Sequence, residues 1–257
     1  IKMMKKKTLK QLLPYELKNT VFGNFFIIFF GIVFPIFLFI ILSTNTSEVP
    51  STYKEIVKIN MFLTISSIIP LSVMFIGHPA IYGNELEKDI PLRLELFGFN
   101  KLQLLFSKCI IYFVFITIAF VLYFITGLIA GIKIPSLNVI LVSIFIFYLL
   151  SVLLLVMSNS IALIFKRFGI TYGITMILYF FMMFTSGMMG VRTEKLPGIL
   201  KILGQCSPTY HLADNYYKFW IGKSYDFMPL IVSFLIFISI ALILFVTSIY
   251  VNKKRGV

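Results

Sequence analysis

Residues 137–165 read LNVILVSIFIFYLLSVLLLVMSNSIALIF, an apolar stretch without one Asp, Glu, Lys or Arg. An α-helix rises about 1.5 Å per residue, so roughly 20 apolar residues cross a hydrocarbon core about 30 Å thick. The apolar residues here occupy every face of such a helix rather than one stripe. That is the pattern of a helix with lipid or protein on all sides. The stretch is expected to span a membrane, and it sets the fold class for the chain around it.

The same pattern recurs on both sides. Upstream lie residues 21–42, broken only by Asn24 and Pro35, then 59–77, softened by Ser66, Ser67 and Pro70, then 109–132; downstream lie 168–191 and 229–251. None of these ranges holds a charged residue in its interior. Each such charge would cost about 2.5–3.5 kcal/mol at a helix centre, and its absence argues against an intramembrane ion-pair relay. The chain has 257 residues, 59% of them hydrophobic and 13% charged. A soluble domain would carry about 25% charged residues. The expected fold is a single all-α integral membrane domain, with six transmembrane helices, an N-terminal interfacial helix and two short re-entrant helices before the last span.

Lys and Arg orient the chain. The net charge is +13, and most of the basic residues fall before the first span, between spans two and three, between four and five, and after six. By the positive-inside rule these segments are cytoplasmic, so both termini face the cytoplasm of a multi-pass plasma-membrane protein. The start is not expected to be a cleaved signal, because the first apolar run is too long and no small-residue cleavage motif follows it. Residues 7–20 place Leu9, Leu12, Leu13 and Leu17 on one face and lysines on the other, as an interfacial helix does. On the opposite side, residues 196–220 combine Pro197, Pro208 and a Tyr- and Trp-rich stretch in runs too short to span. Two short helices dipping into the outer leaflet are expected there.

Several chemistries are excluded. Cys109 and Cys206 form no CxxC pair, so two unpaired small residues are expected. His78 and His211 fall on opposite sides of the membrane and build no metal site; His78, beside Pro79, is read as an end residue of span two. Residues 221–224, IGKS, resemble the tail of a P-loop, but position 217 is Tyr where that motif needs Gly. No nucleophile elbow surrounds Ser186, and the acids near residue 90 have no partners at membrane depth, so no catalysis is expected. Nucleic acid is not expected as a partner, since the basic residues flank apolar runs instead of covering a solvated face. Asn24, Ser66, Ser67, Tyr179, Thr185 and Ser186 are the polar residues available to line a pathway. Gly127-x-x-x-Gly131 and Gly169-x-x-x-Gly173 permit tight packing.

Residues 84–101, NELEKDIPLRLELFGFNK, gather Glu85, Glu87, Lys88, Asp89, Arg93, Glu95 and Lys101 in one cytoplasmic loop. The near balance of signs does more than set topology. Pro91 suits the start of a short helix, with Asp89 favoured at its N-terminus and Gly98 at its close. Leu92, Leu96 and Phe99 then form a ridge flanked by charge, a shape that docks into another protein's groove.

The order of these features resembles the permease subunits of ABC-2-type ATP-binding-cassette exporters. An amphipathic N-terminal helix and six spans come with the acidic NELEKD…LRLELFGFNKLQLLFSK loop between spans two and three. The segment TSGMMGVRTEKLPGILKILGQCSPTYHLADNYYKFW before span six carries Ser-Gly, Leu-Pro and Pro-x-Tyr landmarks. The likeness covers essentially the whole chain. One departure is Asp89-Ile90-Pro91, where the family often has Gly-Thr. The resemblance implies a half-transporter that pairs with a second permease chain, as homo- or heterodimer, in membrane lipid, and with two copies of a separate ATPase subunit. This chain would hold no cofactor, since ATP and Mg belong to the ATPase. The loop would be the helix that couples ATP hydrolysis to spans one and two. In that reading Glu85, Glu87, Arg93 and Glu95 supply polar contacts and Leu92, Leu96 and Phe99 the wedge, with Lys166, Arg167 and Phe168 as a minor second contact. The expected cargo is amphipathic: a drug, a hydrophobic peptide or a lipid-like molecule. Alternatives are a polysaccharide or sodium exporter of the same family, a secondary transporter, and a non-transport immunity or sensor protein.

Overall fold

The computed structural model describes residues 9–45, 50–189, 193 and 196–255. The lysines before position 9 and the last two residues of the expected fifth span lie outside the described residues. Among the described residues every regular element is a helix. We label them α1 (Leu9–Leu17), α2 (Phe25–Thr44), α3 (Thr52–Glu87), α4 (Ile90–Leu96), α5 (Lys101–Ile129), α6 (Leu137–Phe165), α7 (Phe168–Thr185), α8 (Gly198–Gln205), α9 (Pro208–Asp214), α10 (Tyr217–Trp220) and α11 (Met228–Lys254). Six of these, α2, α3, α5, α6, α7 and α11, are long and apolar enough to cross a membrane.

The second span differs most from expectation. It runs well beyond residues 59–77 at both ends, and it is the most enclosed of the six. Helices α2, α6, α7 and α9 pack around it. Its polar residues Thr64, Ser66, Ser67, Ser72, His78 and Glu85 are all buried. A hydropathy pattern assigns such residues to water, whereas here they face protein. His78 is accordingly not an end residue: it lies fully buried between the Tyr82 and Tyr112 rings, each 5.2 Å away.

Prolines explain the bends. Pro35 follows a π-helical turn at Phe29–Val33, and Pro79 follows another at Val73–Gly77. A proline ring clashes with the carbonyl four residues back and donates no N–H, so the preceding turn widens. The widened turns let α2 and α3 come close. A Cβ on Gly77 would lie 2.2 Å from Ile27 Cγ1, and Ile27 is itself buried. Gly77→Val should therefore destabilise the chain by about 1–3 kcal/mol, the usual effect of overpacking. A thermal unfolding midpoint equal to that of the wild type would refute this close approach.

Of the two expected small-residue motifs, one part packs as anticipated. A Cβ on Gly127 would meet the Phe62 ring at 2.5 Å, inside an aromatic cluster with Phe39, Tyr123 and Trp220. Gly131 instead ends α5, and at Gly169 and Gly173 a Cβ would meet nothing within 4 Å beyond its own stretch of helix backbone. Both cysteines are free, as expected.

Candidate functional site

The charged loop after α3 folds as the sequence suggests. Asp89 adopts a left-handed conformation (φ 53°), which Asp tolerates better than most residues, and it turns the chain out of α3 into α4. Pro91 sits in the first turn of α4. At the other end Gly98 (φ 93°) closes the helix: the Phe99 N–H donates to the Leu94 carbonyl and the Gly98 N–H to the Glu95 carbonyl. This paired closure needs a left-handed residue, and glycine takes that conformation without strain. Asn100 then caps α5, accepting from the Leu102 N–H while its own N–H donates to the Gln103 side chain.

Leu92 and Leu96 are 55% and 73% exposed, one helical turn apart, and Phe97 beside them is 58% exposed. Phe99, expected in the ridge, is half-buried, because the closing turn folds it back; Phe97 stands out in its place. Arg93 is exposed and Glu95 half-buried.

Glu85 and Glu87 are placed otherwise than as surface contacts. Glu87 accepts the Phe168 backbone N–H at 2.7 Å, so the loop is clamped to the N-terminus of α7. There a carboxylate meets unpaired helix N–H groups and the positive end of the helix dipole. Of the expected second contact, Phe168 thus touches the loop through its backbone. Arg167 is exposed, and Lys166 caps the end of α6 in a left-handed conformation (φ 51°). Burial lowers the Lys166 pKa, and the nearby Arg255 and Lys101 lower it further.

Glu85 turns inward. It is 4% exposed, and both its carboxylate oxygens lie 2.8 Å from Lys108 Nζ of α5. The same ammonium donates to Glu16 Oε2 of α1 at 2.8 Å, with Glu16 wholly buried and Lys108 4% exposed. Asn19 donates its side-chain amide to Glu85 Oε1. The apolar ranges 59–77 and 109–132 hold no charge, as expected, but buried charges meet just beyond them. Helices α3 and α5 extend past their apolar runs, and carry Glu85 and Lys108 with them. Two carboxylates and one ammonium then tie α1, α3 and α5 together out of water. The signal for this was faint: Lys108 stands one residue before an apolar run, and Glu16 falls on the inward face of α1 with Leu12.

The six expected pathway residues do not come together. Asn24 caps α2 by accepting the Phe26 N–H at 3.1 Å. Ser66 and Thr185 bond to backbone carbonyls of their own helices, and Ser67 is buried at the bend in α3. Ser186 donates to Thr209 at 2.6 Å and so pins α9 to the end of α7. Of the six, Tyr179 borders an open cleft. This is an apolar cleft of about 440 Å³ between α2 and α7, floored by Ile76 and lined by Phe30, Phe34, Phe180 and Met183.

No protein-family model matches the chain, and no curated protein matches it. Among the described residues no group of His, Cys, Asp and Glu is arranged to hold a metal ion.

Proposed function

We propose that the chain is the membrane-spanning subunit of an ATP-driven ABC-2-type exporter, paired with a second permease chain and docked through α4 onto a separate ATPase subunit. The single observation that carries this reading is α4. Its apolar residues Leu92, Leu96 and Phe97 stand exposed on a rigidly capped helix. A solvated loop has no need of them, and a partner's groove does. The helix is also well placed to pass on force. It follows directly on the most enclosed span, and Glu87 and Glu85 join its base to α7, α5 and α1. The apolar cleft beside Tyr179 suits an amphipathic cargo, since clefts of this size take drug-sized molecules.

In this reading both termini are cytoplasmic, α1 lies along the inner interface, and α8 to α10 close the outer side. Ile199, Ile202 and Leu203 of α8 are exposed at helical spacing, as suits a helix dipping into the outer leaflet. A cysteine at Lys223, exposed in the turn before α11, should react with a membrane-impermeant maleimide on intact cells in a background without Cys109 and Cys206. Labelling only after permeabilisation would reverse the topology.

The whole reading is tested by purifying the chain from its native membrane in mild detergent and identifying what accompanies it. An ATPase subunit should co-purify, and its hydrolysis should rise with amphipathic cargo. A chain that comes down alone, or only with itself, would favour a stand-alone carrier or sensor.

A further inference from the structure

The cluster of Glu16, Glu85 and Lys108 sets two carboxylates against one ammonium. Fully ionised, it would hold one surplus negative charge where no water reaches. Such a charge costs several kcal/mol when it lacks a partner. Beside it, Glu16 Oε1, Thr20 Oγ1 and the Tyr112 hydroxyl are all buried without a well-formed hydrogen bond, although Thr20 lies within polar reach of both Glu16 and Tyr112.

We propose that this cluster is a proton-binding site, with Glu16 Oε1 as the atom that takes the proton. One proton cancels the surplus charge and gives the buried Oε1 an O–H to direct at the Thr20 hydroxyl. Glu16 Oε2 remains an acceptor for Lys108 in either state, so the ammonium keeps both its partners. The titratable groups around Glu16 are Tyr15 on α1, Tyr82 and Glu85 on α3, and Lys108 and Tyr112 on α5, with His78 next to Lys108 and Cys109 next to Tyr112. Burial holds the Glu16 carboxyl above the usual glutamate range; Lys108 and the Thr20 hydroxyl oppose this, and Glu85 reinforces it.

The sign of the linkage follows. Docked α1 holds a proton that an undocked, hydrated α1 would already have released. Docking is therefore tightest at and below the ordinary glutamate pKa, and it weakens as pH rises through the raised one. The site is a pH-sensitive latch on α1, and it stands whether or not the chain is an exporter.

The test is infrared titration of the full chain in lipid nanodiscs over about pH 4–9. The wild type should show a protonated carboxylic-acid carbonyl band whose half-point lies above that of an exposed glutamate. Glu16→Gln, which copies the shape and hydrogen bonds of the protonated acid, should lose the band. Hydrogen exchange of α1 amides, corrected for intrinsic pH dependence, should quicken with pH in the wild type and stay slow in Glu16→Gln. A band indifferent to Glu16→Gln, or a half-point in the exposed range, overturns the proposal. So does the absence of a band, which would mean that Glu16 stays ionised in the cluster. Should Glu16→Gln not fold, Glu85→Gln decides: removing the second carboxylate must lower the half-point, and an unchanged half-point refutes the site.

Discussion

Leu96→Asp is expected to abolish association with the ATPase subunit while leaving the chain inserted and folded. Leu96 is the most exposed residue of the α4 ridge at 73%, so it contributes little to the fold of the isolated chain. Seated in a partner's groove, a leucine side chain would stabilise the complex by about 1.5–3 kcal/mol. An aspartate forfeits that and adds the cost of desolvating a carboxylate against an apolar surface. Together these amount to at least about 3 kcal/mol, or roughly 100-fold in affinity. The measurement is co-purification from detergent beside a thermal unfolding curve of the same variant. Lost association with an unchanged midpoint supports docking through α4. Retained association removes α4 from the interface, and with it the assignment of this helix as the point where force enters.

The parts of the fold that read directly from sequence are those in which one local interaction decides. Residues 137–165 are apolar on every face and long enough to cross a membrane, and the helix found there has the expected bounds. Pro91 and Gly98 bracket α4 because a proline is suited to a first turn and a glycine to a left-handed close. The helix that carries the second apolar range is longer than that range, because hydropathy drops at both ends: Lys54, Glu55 and Lys58 before it and Asn84, Glu85 and Glu87 after it continue the same helix. Phe97 and Phe99 exchanged roles for another reason. Helical spacing selects Phe99, but the turn at Gly98 removes it from the helix before spacing applies.

The buried cluster was illegible for a different reason. Glu16, Glu85 and Lys108 meet only through the tertiary fold, and each had a sufficient local explanation: polar face, docking loop, topology signal. Charge counted segment by segment gives no hint that two acids and a base from three segments share one dry site. The same blindness applies to Glu87, whose partner is the backbone N–H of Phe168, a group with no sequence signature at all.

That cluster gives the second large effect. Lys108→Met should strongly destabilise the docking of α1 onto α5, by about 3–5 kcal/mol, because it leaves the buried Glu85 carboxylate, beside a protonated Glu16, without a counter-charge. Methionine nearly matches the length of the lysine stem, so little packing is lost and the effect isolates the charge. The readout is limited proteolysis between α1 and α2, around Gly23, together with the unfolding midpoint. Both should move sharply in Lys108→Met. Adding Glu16→Gln and Glu85→Gln should restore most of the loss, since replacing a whole buried ion cluster by neutral groups of similar shape is often close to neutral in stability. If the triple variant is no more stable than Lys108→Met, charge is not what the lysine supplies, and the latch must rest on the packing of Leu12 and the tyrosines instead. If Lys108→Met itself matches the wild type, the two acids are already neutral and the ammonium is dispensable.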